Sequence, residues 1–280
     1  MNHLRAVGGR FCVTVCGRLV GVLCLLLAAA GPSSSFAQGF AAIVSPPRFE
    51  LTAKAGEKIR QVVEITNASS QAAKFHFKTA DWSLDKTGGV TFDETLQAGS
   101  CRPWIAIERR EITVSGNSKY RFRFEIAPPA DAVPGECRFA LLIEGDEQVV
   151  KSANGPSVPV SGRVGVIVYV TVGGAAPNLD IVSTQVTVVN GEAVPVLQVK
   201  NSGNAHGRLD GFLSGTDARG KKLEFTISTL PILPGETRAI NLTVTRGERD
   251  APIQIAYPIT IRGNLEWADK SNPFEQRFAP

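Results

Sequence analysis

Hydrophobic and polar positions alternate along most of this chain with a period of two. Tyr120, Phe122, Phe124 and Ile126 share one parity, while Arg121, Arg123 and Glu125 share the other. That pattern predicts a strand with one face on a core and the other in water. Similar short runs, "IRQVVEIT", "AKFHFKTADW", "PWIAIERREITV" and "CRFALLIEG", are rich in Val, Ile, Phe and Thr and are separated by Gly, Pro, Asn and Asp. This is the punctuation of strands and turns. With "AIVSPPRFELT" before them and the valine-rich "GPSVPVSGRVGVIVYVTVGG" (155–174) after, the first half holds about seven strands, the number of an immunoglobulin-like sandwich. The stretch "VGGAAPN" (172–178) reads as a linker. Strands resume with "LDIVSTQVTVV", an Asn190-Gly191 hairpin turn and "AVPVLQVKN", followed by "GRLDGFLSGTD", "KKLEFTI", "TRAINLTV" and "IQIAYPITIRG". No convincing amphipathic helix interrupts them. The expected fold is all-β: two immunoglobulin-like β-sandwich domains, 39–173 and 177–268, after a cleaved signal peptide at 1–37 and before a polar tail at 269–280.

The start of the chain changes how composition is read. Arg5, Arg10 and Arg18 precede an apolar run at 19–30, and Ser35-Phe36-Ala37 supplies a small-residue cleavage site. This is a secretory signal pattern, with cleavage expected after Ala37. The run is shorter than the ~20 residues of a spanning helix, so the mature chain is expected to have no transmembrane span. Removing the segment takes three arginines and no acids, leaving 27 basic against 26 acidic side chains. A nucleic-acid partner would want a retained positive excess. Cys12, Cys16 and Cys24 leave as well. Cys101 and Cys137 remain as an even pair in an exported protein, and one disulfide between them is expected.

Candidate chemistry is sparse. The mature chain has only His76 and His206, with no ligand spacing between them or the cysteines, so neither metal nor cofactor is expected. His76 sits in an alternating strand and reads as structural; His206, in "NSGNAHG", reads as a turn or surface residue. Nothing resembles a nucleophile–base constellation, so no catalytic residues and no enzyme activity are expected. Pro134-Gly135-Glu136 and Pro234-Gly235-Glu236 both read as type II turns.

The valine-rich stretch holds the sharpest feature. Val158, Val160, Val164, Val166, Val168 and Val170 share one parity. From Val164 to Val170 the other parity carries Ile167 and Tyr169, so both faces are expected to be covered. From 157 to 162 the alternation is strict and includes Pro159, which favours an edge strand because proline has no N–H to donate. Two readings stay open for that half: an edge kept for a partner, or an ordinary half-buried strand covered by the protein's own loop.

The first domain resembles the N-terminal domain of the periplasmic pilus-assembly chaperones. The resemblance is carried by "PPRFELTAKAGE", "VVEITNAS", "KTADWSLDKTGG", "CRPWIAIERREITV", "VPGECRFALLIEG" and "GRVGVIVYV", in order, over about 41–172. It implies a non-enzymatic periplasmic chaperone that stabilises pilin-like exported subunits by donating a strand, with an outer-membrane assembly protein as a further partner. The flexible loop of the family falls on "VVKSANGP". Of the two basic groups that hold a subunit's C-terminal carboxylate in the family, the arginine falls on Arg48 and the lysine on Gly165. The nearest basic replacement is Arg163, two residues earlier on the same face. The resemblance thus yields a client-binding set of Arg48, Arg163, Val158 and Val160. The alternative from another class is an exported structural or adhesive β-sandwich module that binds through loops.

Overall fold

The computed structural model describes residues 40–151, 157–246 and 253–280. The expected signal segment and its cleavage point lie outside these residues, as do positions 152–156 of the expected flexible loop. The first half contributes strands β1 (Ala42–Ser45), β2 (Arg48–Ala53), β3 (Ile59–Asn67), β4 (Ala73–Leu84), β5 (Val90–Asp93), β6 (Ile105–Ile107), β7 (Glu111–Val114), β8 (Ser118–Ile126), β9 (Gly135–Gly145), β10 (Gln148–Lys151), β11 (Ser157–Val160) and β12 (Arg163–Val172). One sheet has the order β1-β3-β8-β6; the other is β2-β12-β9-β4-β5, with β7 also on β4. This is the two-sheet division of an immunoglobulin sandwich. Its first strand is shared: β1 pairs antiparallel with β3, and β2 pairs parallel with β12.

The alternation read in the sequence does the packing. Phe122, Phe124 and Ile126 of β8 are buried against Phe75, Phe77, Phe139, Val166, Val168 and Val170 from the facing sheet. Phe77 and Phe122 stack with centroids 3.8 Å apart. Cys101 and Cys137 are joined by a disulfide with a Cα–Cα separation of 5.8 Å. The run "PWIAIERREITV" is not one strand. A 3₁₀ turn at Arg102–Trp104 leads into β6, which pairs with β8, and the chain then crosses the sandwich so that β7 pairs with β4. One apolar alternation therefore serves two sheets in turn.

The second half forms β13 (Leu179–Val189), β14 (Glu192–Asn201), β15 (Leu213–Thr216), β16 (Lys222–Ile227), β17 (Thr237–Val244), β18 (Ile259–Trp267) and β19 (Lys270–Phe278), in the order β13-β14-β17-β16-β15-β18-β19. Strand β17 pairs with β14 over Thr237 to Asn241 and with β16 over Leu242 to Val244. Sharing one strand in this way lets the ladder wrap around a core that includes Leu197, Ile240, Ile261 and Phe278. Asn190 and Gly191, at φ 51° and 82°, make the β13–β14 turn as expected.

The C-terminal tail and the paired turns also need correction. Residues 269–280 are not a loose tail: β19 pairs with β18 from Ile259–Phe278 to Trp267–Lys270, and Phe278 is buried in the core. Its composition is polar because backbone groups make the ladder and few side chains face inward. The two Pro-Gly-Glu triplets also differ. Gly235 has φ 77°, with the Glu236 N–H donating to Leu233 O at 3.0 Å, whereas Gly135 is the first residue of β9 and is paired with Val172. Among the described residues no helix is long and apolar enough to cross a membrane.

Candidate functional site

The outer face of the β2-β12-β9-β4 sheet is laid out by register. Arg163 lies beside Glu144, and Glu144 beside His76; Gly165 lies beside Leu142, and Leu142 beside Lys78. Arg48, Ile167, Ala140 and Ala80 form the next row, and Glu50, Tyr169 and Arg138 the one after. Charged positions thus flank an apolar centre of Ala80, Ala140 and Leu142, against which Trp82, Phe92 and Ile167 pack. The sequence reading that β12 is covered on both faces is met by two unlike layers, the sandwich core beneath and this smaller cluster above.

Gly165 belongs to that upper layer. A Cβ there would fall 2.2 Å from Phe92 Cζ, so the Phe92 ring occupies the space a larger side chain would need. A lysine at this position would have to displace the ring. Just beyond Phe92, Glu94 meets Lys78 at 3.1 Å and Arg163 at 3.1 Å, and Glu144 contacts the same two cations. Arg163 is therefore held between two carboxylates. Hydrogen bonding from Lys78 and the charge of Arg163 keep the Glu144 carboxyl below its ordinary value despite the opposing effect of burial.

At the other end of the face the second domain meets the first. His206 is not a surface turn residue: its ring stacks on Tyr169 with centroids 3.8 Å apart, and its side chain is only 9% exposed. Its backbone N–H donates to Glu136 Oε2 at 2.9 Å, and Nδ1 lies 2.5 Å from the same oxygen. Arg208 reaches over the Tyr169 ring, donates to Thr229 O at 2.6 Å, and lies 3.5 Å from Glu50. Burial pushes the Tyr169 phenol up and the Arg208 guanidinium down from their ordinary values. Further along, Arg238 is buried and donates to Asp85 O at 2.8 Å. The signal missed in the sequence is the spacing of His206 and Arg208, which puts both on one side of an extended segment.

Arg48 stands between these two charged regions. It is half exposed and bonded to Glu50 at 2.9 Å. The sheet brings Arg48 and Arg163 to one face, but in different rows and with different partners.

Val158 and Val160 are in β11, which forms a two-stranded ribbon with β10 and no other strand among the described residues. The ribbon continues the β9–β12 hairpin past an irregularity: Glu144 pairs with Arg163 and Gln148 with Val160, so three residues oppose two. That one-residue mismatch is a bulge and locally redirects the ribbon. Its foot is packed by Phe40, whose ring approaches Gly145 and Gly162 so closely that a Cβ at either glycine would overlap it. Strand β2 pairs with β12 only from Ile167 onward. Among the described residues, the side of the chain opposite β9 and β10 therefore has no strand partner from Ser157 to Val160 or from Arg163 to Val166. Val160 is 47% exposed.

No family model matches the sequence, and no curated protein matches it. Among solved structures, a Pseudomonas aeruginosa chaperone, CupB2, is 13% identical with a TM-score of 0.42, covering 85% of this chain and 100% of its own. The YadV chaperone is 11% identical with a TM-score of 0.46 over 85% and 99%. The E. coli chaperone DraB is 11% identical with a TM-score of 0.43 over 86% and 98%. These are distant similarities, and the roles of individual residues rest on the geometry of this chain.

Proposed function

We propose that the protein is a periplasmic chaperone that holds exported, pilin-like subunits by donating the edge running from Ser157 to Val166. The observation that carries this reading is the one-sided pairing of that segment. An extended apolar edge is an aggregation hazard that proteins usually blunt, and among the described residues no strand covers this one, which lies next to a surface bearing Arg48. A partner strand would add main-chain hydrogen bonds along the edge, while Val158 and Val160 would set its register in pockets of the partner. Arg48 would meet a terminal carboxylate with its planar donor fork. Arg163 would lie along the same track, already neutralised by Glu94 and Glu144.

Hydrogen exchange tests the edge directly. In the isolated protein, amides in 157–166 should exchange faster than those in 167–172, and they should slow in the complex purified from the exporting host. Val160→Glu should change the folding free energy by no more than a surface change does, about 0.5 kcal/mol, yet abolish recovery of the complex, because the partner would have to desolvate a charge. Equal protection across both segments in the isolated protein would overturn the reading.

One observation favours the second reading, an adhesive or structural module. Phe212 of the second domain is 92% exposed, beside a groove lined by Asp210, Ser214, Thr226 and Arg262. Loss of the partner on Phe212→Ala but not on Val160→Glu would move the conclusion to that reading.

A further inference from the structure

We propose that the cleft where β4 parts from β9 is a second polypeptide site, which takes an extended, uncharged segment of a partner protein and reads an Asn or Gln side-chain carboxamide on it. Neither strand donation nor Arg48 takes part. Strand β4 pairs with β9 only from Phe75–Gly145 to Ala80–Ala140; past that point it pairs with β5, from Asp81–Asp93 to Leu84–Val90. Among the described residues, Gly135 to Phe139 of β9 therefore have β12 on one side and no strand on the other. The parting opens a cleft of about 440 Å³, lined by 135–138 of β9, by Trp82 and Trp104 and by the loop 97–101, within the ~300–1,000 Å³ range of ligand sites. Its walls are fixed before any ligand arrives. The Cys101–Cys137 disulfide ties the loop to β9, and Asp81 accepts from the Ser100 hydroxyl at 2.7 Å and the Gln97 N–H at 3.1 Å.

Three buried polar groups of the lining residues have no hydrogen-bond partner among the described residues: Trp82 Nε1, Arg138 Nη1 and Glu136 Oε1. Buried groups of this kind are normally bonded. The Glu136 side chain is only 1% exposed, and its other oxygen is already taken by His206. Arg138 Cζ lies 5.7 Å from the centre of the Trp82 ring, and Arg138 Nε lies 3.8 Å from Glu136 Oε1, too far for a hydrogen bond. The guanidinium thus covers the other two groups. Among the described residues no hydrogen bond holds it, and its side chain is 33% exposed, so it can turn toward a ligand and uncover them. Two donors and one acceptor then define what binds. A carbonyl oxygen has two lone pairs for the Trp82 N–H and Arg138, and an N–H meets Glu136 Oε1; a carboxamide carries both in one plane. A carboxylate brings no N–H and meets the charges of Glu136 and Asp81. A hydroxyl would also complement the three groups, but the backbone beside them favours a peptide. The unpaired side of β9 repeats N–H and C=O at the spacing of an extended chain. Trp104 and Val133, which is 78% exposed, add apolar contact.

The indole N–H resonances of Trp82 and Trp104 report on the site by NMR, and Trp82→Phe identifies the first by its loss. The exported protein is titrated at constant ionic strength with acetyl-Gly-Asn-Gly-methylamide, with the same peptide carrying Asp in place of Asn, and with maltotriose as a neutral sugar. The Asn peptide should shift the Trp82 resonance saturably. The Asp peptide should bind more weakly by about tenfold or more, because it loses the N–H and adds a charge, and maltotriose should shift neither resonance. Trp82→Phe keeps an aromatic ring but no donor, so it should weaken the Asn peptide, read at Trp104, by about threefold to tenfold. Four results would overturn the proposal: no saturable shift with the Asn peptide, equal binding of the two peptides, saturable binding of maltotriose instead, or unchanged affinity in Trp82→Phe. Should Trp82→Phe not fold, the comparison of the two peptides on the wild type still decides. Val160→Glu should bind the Asn peptide normally, and so failure of this site and failure of strand donation give different results.

Discussion

Asn67 and Asn201 occupy the same place in their two domains and do the same work. Each ends a strand after an apolar alternation, "VVEITN" and "VLQVKN", and each is buried. Asn67 Nδ2 donates to the carbonyls of Gln71, Val114 and Ser115, and its Oδ1 accepts from the Ser69 N–H. Asn201 Nδ2 donates to Ala205 O and Ile232 O, and its Oδ1 accepts from the N–H groups of Gly203 and Asn178. Four or more backbone groups at a strand-to-loop corner are satisfied by one amide in both cases, which explains why an otherwise costly polar side chain is buried. The difference lies in position. Asn67 is at the end of β3 that pairs with β1, away from the linker, whereas Asn201 bonds Asn178 in the linker itself. The corner in the second domain therefore also aims the loop that carries His206 and Arg208 onto Tyr169. A local solution to a folding problem has been placed where it doubles as an interdomain support.

The comparison is broken most strongly through the disulfide, which only the first sandwich has. Replacing Cys101 and Cys137 with alanine should cost the first domain about 3–4 kcal/mol, the chain-entropy value for a loop of this length. Trp82 and Trp104 report on that domain and Trp267 on the other, so urea unfolding followed by fluorescence of single-tryptophan variants should show the loss in the first transition alone. Asn67→Ala and Asn201→Ala come next, each expected to cost about 2–4 kcal/mol because several buried backbone groups lose their partners. Only Asn201→Ala should in addition speed exchange of the His206 amide. Equal exchange in both variants would show that the Asn201 corner does not support the interdomain contact.

A smaller effect is expected at the apolar centre. Gly165→Lys should destabilise the first domain by about 1–3 kcal/mol by displacing Phe92. In a double-mutant cycle with Phe92→Ala the losses should be less than additive, and strict additivity would show that the two side chains do not compete. The weakest test uses pH. Because Glu144 titrates below its ordinary 4.5 in the folded protein, its contribution to stability is complete above that value. It is lost as pH falls through the lower folded value. Glu144→Gln should flatten the acid limb of the stability curve for the first domain and leave the Trp267 transition unmoved.

What the sequence by itself determined is local. Period-two alternation marked Tyr120 to Ile126 as a half-buried strand, and Asn190-Gly191 marked a tight hairpin; the valine-rich stretch read as one strand is two, β11 and β12. The alternation and the turn each depend on neighbours along the chain, whose geometry the covalent backbone imposes. Cys101 and Cys137, the pair expected to remain after removal of a signal segment, also sufficed to name their pairing. Tertiary structure decided the rest. The stretch 270–278 of the polar tail became β19 because the edge of β18 was there to be paired, and hydrogen bonds of the backbone do not depend on an apolar pattern. Gly165 is explained by Phe92, 73 positions away in the sequence numbering, and His206 and Arg208 by a surface on the other domain. Alternation states which face of a strand is covered. What covers it is settled only when distant strands arrive, because packing and desolvation act between surfaces and not along the chain.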